Sequence, residues 1–135
     1  MHRKKTALIV DDSAFTRRVI KGILNRCGFR VVGEAENGNT CIEKYKLLRP
    51  DIVTLDIVMD EASGLLALEQ IIAHNPDAIV VIISAMTGQV PFVVEANAKG
   101  AAAIVTKPIE ENDLIEALSS ILSRLLGTDN RFVYL

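Results

Sequence analysis

The chain has 135 residues, half of them apolar and 24% charged, with a net charge of −2. That length fits one domain of the commonest size, able to bury a core without disulfides or a structural metal, and the balance is globular rather than disordered. The slightly acidic charge speaks against a nucleic-acid binder, and no run approaches the roughly 18–20 apolar residues of a membrane span.

Behind the basic start His2-Arg3-Lys4-Lys5, the apolar run Ala7–Val10 is too short for a secretory signal core, so a cytoplasmic location is expected. The first predicted strand is Thr6–Val10. A helix follows in which Phe15, Val19, Ile23 and Cys27 recur every four residues, with Ile20 and Leu24 widening the stripe and Gly28 ending it. Further strands are predicted at Arg30–Ala35, Asp51–Leu55, Ala78–Ile83 and Ala102–Thr106. Several are apolar on consecutive residues, as parallel strands covered on both faces are.

The fourth helix, Val90–Lys99, is apolar nearly all round. Val90, Val93, Val94 and Ala98 are expected to form its buried stripe, which leaves Phe92 as either a tucked core residue or part of a docking patch. The last helix carries Leu114, Leu118, Ile121, Leu122, Leu125 and Leu126 on one face. It opens with Glu110, Glu111 and Asp113 and closes with Arg124 and Gly127, in keeping with the helix dipole and a left-handed end. Cys27 and Cys41 are too few and too far apart for a metal knuckle and are expected as reduced core thiols. Strand then helix, five times over, predicts a doubly wound α/β fold with a five-stranded parallel sheet. One domain over 1–126 is expected, followed by a short tail, 127–135.

In open α/β sheets, ligands bind beyond the carboxyl ends of the strands. The first strand ends in Asp11-Asp12, the third in Asp56, the fourth in Ser84 and the fifth in Lys107-Pro108; only the second, expected at an edge, ends without a candidate group. Three clustered carboxylates repel one another, and all-oxygen donors suit a hard, hydrated cation such as magnesium. Lys107 offers a compact positive charge for phosphoryl oxygens and Ser84 a hydroxyl. Singly, Asp12 could be a helix cap, Ser84 a loop serine and Lys107 an exposed lysine. Their joint occurrence at strand ends is what that plainer reading explains poorly.

Ile9-Val10-Asp11-Asp12, Asp56, Ser84 and Lys107-Pro108 resemble the signature of a response-regulator receiver domain, and the likeness runs from about Thr6 to Leu126. Asp11-Asp12-Ser13-Ala14-Phe15, Pro50-Asp51-Ile52-Val53-Thr54 and Ser84-Ala85-Met86 are similar to the CheY-type chemotaxis regulators within that family. The resemblance implies the flavodoxin-like strand order 2-1-3-4-5 and a signalling switch rather than an enzyme. It makes Asp56 the phosphoacceptor, with magnesium held by Asp11, Asp12, Asp56 and the backbone carbonyl of Val58. It also makes Ser84 and Lys107 the groups that grip the phosphoryl oxygens, and the Lys107–Pro108 bond cis.

As partners it implies a sensor histidine kinase upstream and a downstream protein, such as a flagellar motor switch protein, on the face of the fourth helix, fifth strand and fifth helix. Neither nucleic acid nor membrane is implied, and the chain would be a monomer or weak homodimer. A phosphorelay intermediate and an aspartyl-nucleophile phosphohydrolase are the alternatives. Two departures from the family stand out: Asp60 and Ser63 replace the usual proline and aspartate after the acceptor, and Ile104 replaces the usual aromatic of the fifth strand.

Overall fold

A computed structural model describes residues 4–59, 64–85 and 90–125 of the chain. Five strands alternate with five helices: β1 Thr6–Val10, α1 Ala14–Arg26, β2 Arg30–Ala35, α2 Gly38–Leu48, β3 Ile52–Leu55, α3 Gly64–His74, β4 Val80–Ser84, α4 Val90–Ala98, β5 Ala103–Thr106 and α5 Glu111–Leu125. All pairings are parallel, and the order is β2-β1-β3-β4-β5, so β2 is an edge as expected. The chain crosses from β1 outward to β2, then back over β1 to β3. The strand ends at this reversal open the crevice where α/β proteins bind ligands.

Successive side chains of a strand face opposite sides of the sheet, so the continuous apolar runs serve two cores. Ala7 and Ile9 of β1, Ile52 of β3, and Val81 and Ile83 of β4 pack against Ile20, Ile23 and Leu24 of α1 and Leu114, Leu118 and Ile121 of α5. Leu8, Val10, Val53, Leu55 and Ile82 face the other way, onto Cys41 and Tyr45 of α2 and Ala67, Leu68 and Ile71 of α3.

Three strands begin later than expected, at Ile52, Val80 and Ala103 in place of Asp51, Ala78 and Ala102. Asp51 precedes β3 because its carboxylate accepts the Thr6 N–H at 2.7 Å, tying the foot of β1 to β3 from outside the ladder. Ala78 donates its N–H to Asn75 O in a turn, so β4 starts at Val80 and reaches Ser84, which ends the strand instead of following it.

Phe15 does not join the buried stripe of α1; it is 72% exposed, while Ile20, Ile23 and Leu24 are buried. A helix has 3.6 residues per turn, so each four-residue step rotates by about 40°, and three such steps carry Phe15 away from the face that Cys27 marks. On α4 the inward residues are Ala96, fully buried, and Val93; Val94 is 60% exposed and Ala98 is also exposed, against expectation. Val93 and Ala96 are three positions apart and share a face, and Val94 and Ala98 turn to the opposite side. The side chains of Val90 and Phe92, the segments 60–63 and 86–89, and the tail 127–135 lie outside the described residues.

Cys41 is fully buried, and burial pushes its thiol up to about 12. Cys27 is only half-buried, at the end of α1, and its thiol is raised first by burial and then by the Glu111 carboxylate. A thiol reagent at about pH 8 should therefore modify Cys27 slowly in the folded chain and Cys41 only on unfolding. Equal native-state rates for the two thiols would contradict this packing.

Candidate functional site

Four strands deliver their terminal residues to one end of the sheet. Asp11 follows β1 and is fully buried; its N–H donates to Ala35 O at 3.0 Å and its Oδ1 accepts the Ser13 N–H at 2.9 Å. Asp12 is exposed and is not the cap of α1. That place belongs to Ser13, whose hydroxyl oxygen accepts the Thr16 N–H at 3.2 Å. Asp56, which follows β3, is 4% exposed and accepts the Val58 N–H on Oδ1 at 3.2 Å. Ser84 is fully buried at the end of β4. Its carbonyl accepts the Lys107 N–H at 3.1 Å, which places the lysine directly after the last β4–β5 pair, Ser84 beside Thr106. The Lys107–Pro108 bond is cis, as the resemblance implied.

One carboxylate oxygen from each of Asp11, Asp12 and Asp56 lies within 4.8 Å of the other two. Lys107 reaches into the group from β5, its Nζ standing 2.9 Å from Asp11 Oδ2 and 3.2 Å from Asp56 Oδ2. Burial raises the Asp56 carboxyl above its ordinary value; the Lys107 charge opposes that, the Asp11 carboxylate adds to it, and the Val58 N–H lowers it. Burial would lower the Lys107 ammonium, but its hydrogen bond to Asp11 and the charges of Asp56 and Asp11 outweigh that and raise it. One ammonium thus faces three carboxylates. The net negative charge and all-oxygen donors fit a hard divalent cation, and magnesium suits a site with room for its waters. The side chain of Val58 is 53% exposed and brings no donor or acceptor of its own.

Two groups at this site were not legible from the motif. Arg17 of α1 donates from Nη1 to the Asp11 carbonyl oxygen at 2.7 Å and from Nε to Glu34 Oε1 at 2.9 Å. A signal was present in the helix itself: its first turn holds no acid, and arginines follow where the dipole favours anions.

A doubly wound sheet with three carboxylates and a lysine gathered at its switch point is the arrangement of a receiver domain. The chain matches the response regulator receiver domain family over residues 7–119, and it belongs to that family. It is similar to the chemotaxis protein CheY of Thermotoga maritima, 44% identical over 117 residues that cover 87% of this chain and 97% of that protein. It is also similar to the chemotaxis protein CheY of Listeria monocytogenes, 50% identical over 111 residues, covering 82% and 92% of the two chains. Among solved structures, the complex of CheX, CheY, BeF3 and magnesium from Borrelia burgdorferi matches with a TM-score of 0.83 at 33% identity, over 87% of this chain and 89% of the matched one. Among the described residues, no helix is long and apolar enough to cross a membrane.

Proposed function

We propose that this chain is a single-domain chemotaxis response regulator of the cytoplasm, its receiver spanning 1–126, that is switched by phosphorylation of Asp56. The observation that carries the reading is Lys107 bridging Asp11 and Asp56 within a cluster of three carboxylates at the switch point. In the reaction, an Asp56 carboxylate oxygen attacks the phosphorus of a phosphohistidine on a sensor kinase. The new O–P bond forms as the P–N bond breaks, and the imidazole leaves. Asp11, Asp12, Asp56 and the Val58 backbone carbonyl would hold magnesium, which supplies charge neutralisation for the transferring group. Lys107 supplies a further positive charge to the phosphoryl oxygens, and the Ser84 hydroxyl donates a hydrogen bond to them. The chain turns over only its own acyl phosphate, so it acts as a switch and not as an enzyme on an external substrate.

The downstream partner is proposed to dock on the face of α4, β5 and α5. Supporting this are Val94, exposed on α4, and a cleft of about 440 Å³ between β5 and α5 floored by Ala102, Ala103 and Ala117 and flanked by Asp113 and Glu116. The likeness to proteins named for chemotaxis, one of them solved together with CheX, supports the pathway and the class of partner.

Intact mass tests the chemistry. After incubation with acetyl phosphate and magnesium, the parent chain should gain one phosphoryl group and Asp56→Ala none. No gain in the folded parent, or equal gain in the variant, would overturn the assignment.

A further inference from the structure

We propose that Arg17 is a positioning residue for the carboxylate cluster. By gripping the Asp11 carbonyl while anchored on Glu34, it fixes the Asp11–Asp12 peptide plane and so sets where the two carboxylates meet a divalent cation. The inference rests on the receiver reading above and extends it to residues outside the motif.

A cation in the first turns of a helix opposes the helix dipole, which favours anions there. The side chain is also only 15% exposed, so its methylenes and guanidinium have given up most of their water. Nothing in the needs of α1 calls for such a residue, because Ser13 already caps it. What the guanidinium does instead is use two donors of its rigid fork on two different elements, the Asp11 carbonyl after β1 and the Glu34 carboxylate of β2. Glu34 is held in turn. Its backbone carbonyl accepts a hydrogen bond from Lys44 of α2, and Lys21 stands 4.0 Å from its second carboxylate oxygen.

The consequence for the site follows from the planar peptide. The Asp11 carbonyl and the Asp12 N–H share one rigid unit, so holding that oxygen fixes the direction in which Asp12 leaves. With the Arg17 bond, every polar group of Asp11 is engaged: its N–H by Ala35, its carbonyl by Arg17, Oδ1 by Ser13 and Oδ2 by Lys107. Asp12 has no such support. Among the described residues its carboxylate makes no hydrogen bond or ion pair, so its place depends on the peptide that Arg17 holds. Groups that orient metal ligands typically change metal affinity by roughly 10–100-fold when removed.

Two readouts on the whole chain test this. In magnesium titrations by calorimetry, Arg17→Met should bind about tenfold or more weakly than the parent. Arg17→Lys should not rescue it, since one ammonium cannot span both acceptors. Glu34→Ala should weaken binding too, and the double variant should be no worse than Arg17→Met alone, the mark of two residues acting as one unit. Without metal, amide exchange at Ser13, whose N–H reports the Asp11 carboxylate, should speed up in Arg17→Met while exchange in the β3 and β4 core stays unchanged. Magnesium affinity within twofold of the parent, additive losses in the double variant, or unchanged Ser13 exchange would each overturn the inference while leaving the receiver reading intact. Failure of the parent to bind magnesium would instead overturn the receiver reading, and the functional part of this inference with it.

Discussion

Lys107→Met should destabilise the metal-free protein strongly at about pH 7, and much less in acid or with magnesium present. The lysine is the ammonium that both Asp11 and Asp56 touch, and those carboxylates are 0% and 4% exposed. Methionine keeps most of the volume and removes the charge, leaving two like charges buried together. Removing one partner of a buried pair costs roughly 3–5 kcal/mol, and the low end applies because the Lys107 side chain is 23% exposed.

The pH dependence has a definite sign. Asp56 already has a raised carboxyl pKa in the folded state, so it holds its proton more tightly folded than unfolded. Such a group favours folding below its unfolded value and loses that contribution as pH rises through its folded value. Removing Lys107 removes an influence that lowers this pKa, so the folded value climbs further and the penalty at neutral pH grows. Acidification toward about pH 4 protonates the carboxyl and removes most of the difference. Magnesium bound to the folded state should offset it by mass action. Urea midpoints at both pH values, with and without magnesium, test this. A loss of equal size under all four conditions would mean that Lys107 matters for packing and not for charge.

The fold was legible to the extent that its physics is local and repetitive. β1 and β2 were readable to the residue, because a strand covered on both sides must be apolar without interruption or be framed by turn residues. Asp51 and Ala78 were misassigned to strands because their bonding is decided across the sheet and by a turn, which the run of residue types does not record. Phe15 and Val94 were misplaced because spacing by fours drifts around a helix, and the sheet chooses one narrow face. The carboxylate cluster was legible because strand ends converge in this topology whatever the loops do. Arg17 and Glu34 were not, since a surface arginine and a strand glutamate are ordinary until β1 and β2 are paired with Ile9 opposite Glu34. That register alone brings the glutamate under the Asp11 turn.

Gly64→Ala should damage both the fold and the site, for a reason that concerns space and not backbone conformation. Gly64 opens α3, and its N–H donates to Ile57 O at 3.0 Å, which ties the start of that helix to the residue after Asp56. A Cβ at this position would lie 2.4 Å from Asp56 O and 2.5 Å from Ile57 Cα, both backbone atoms that cannot swing aside as a side chain would. The segment bearing Asp56 must then move bodily. Forcing one methyl into a filled site costs typically about 1–3 kcal/mol and occasionally more, and the upper part of that range is expected where backbone meets backbone. The same displacement shifts the Asp56 carboxylate relative to Asp11 and Lys107, so labelling by acetyl phosphate should slow as stability falls.

Gly28→Ala separates the two effects. Gly28 has φ +89° and nothing within 4 Å of a built Cβ, so alanine there suffers only the left-handed backbone penalty of about 1–2 kcal/mol. It lies beyond the end of α1, at the other end of the sheet from the carboxylates. Gly28→Ala should therefore lower the urea midpoint and leave the rate of phosphorylation unchanged, while Gly64→Ala lowers both. If the two variants lose stability alike and Gly64→Ala is phosphorylated at the parent rate, the close approach of α3 to the Asp56 backbone has no part in holding the Asp56 carboxylate in place.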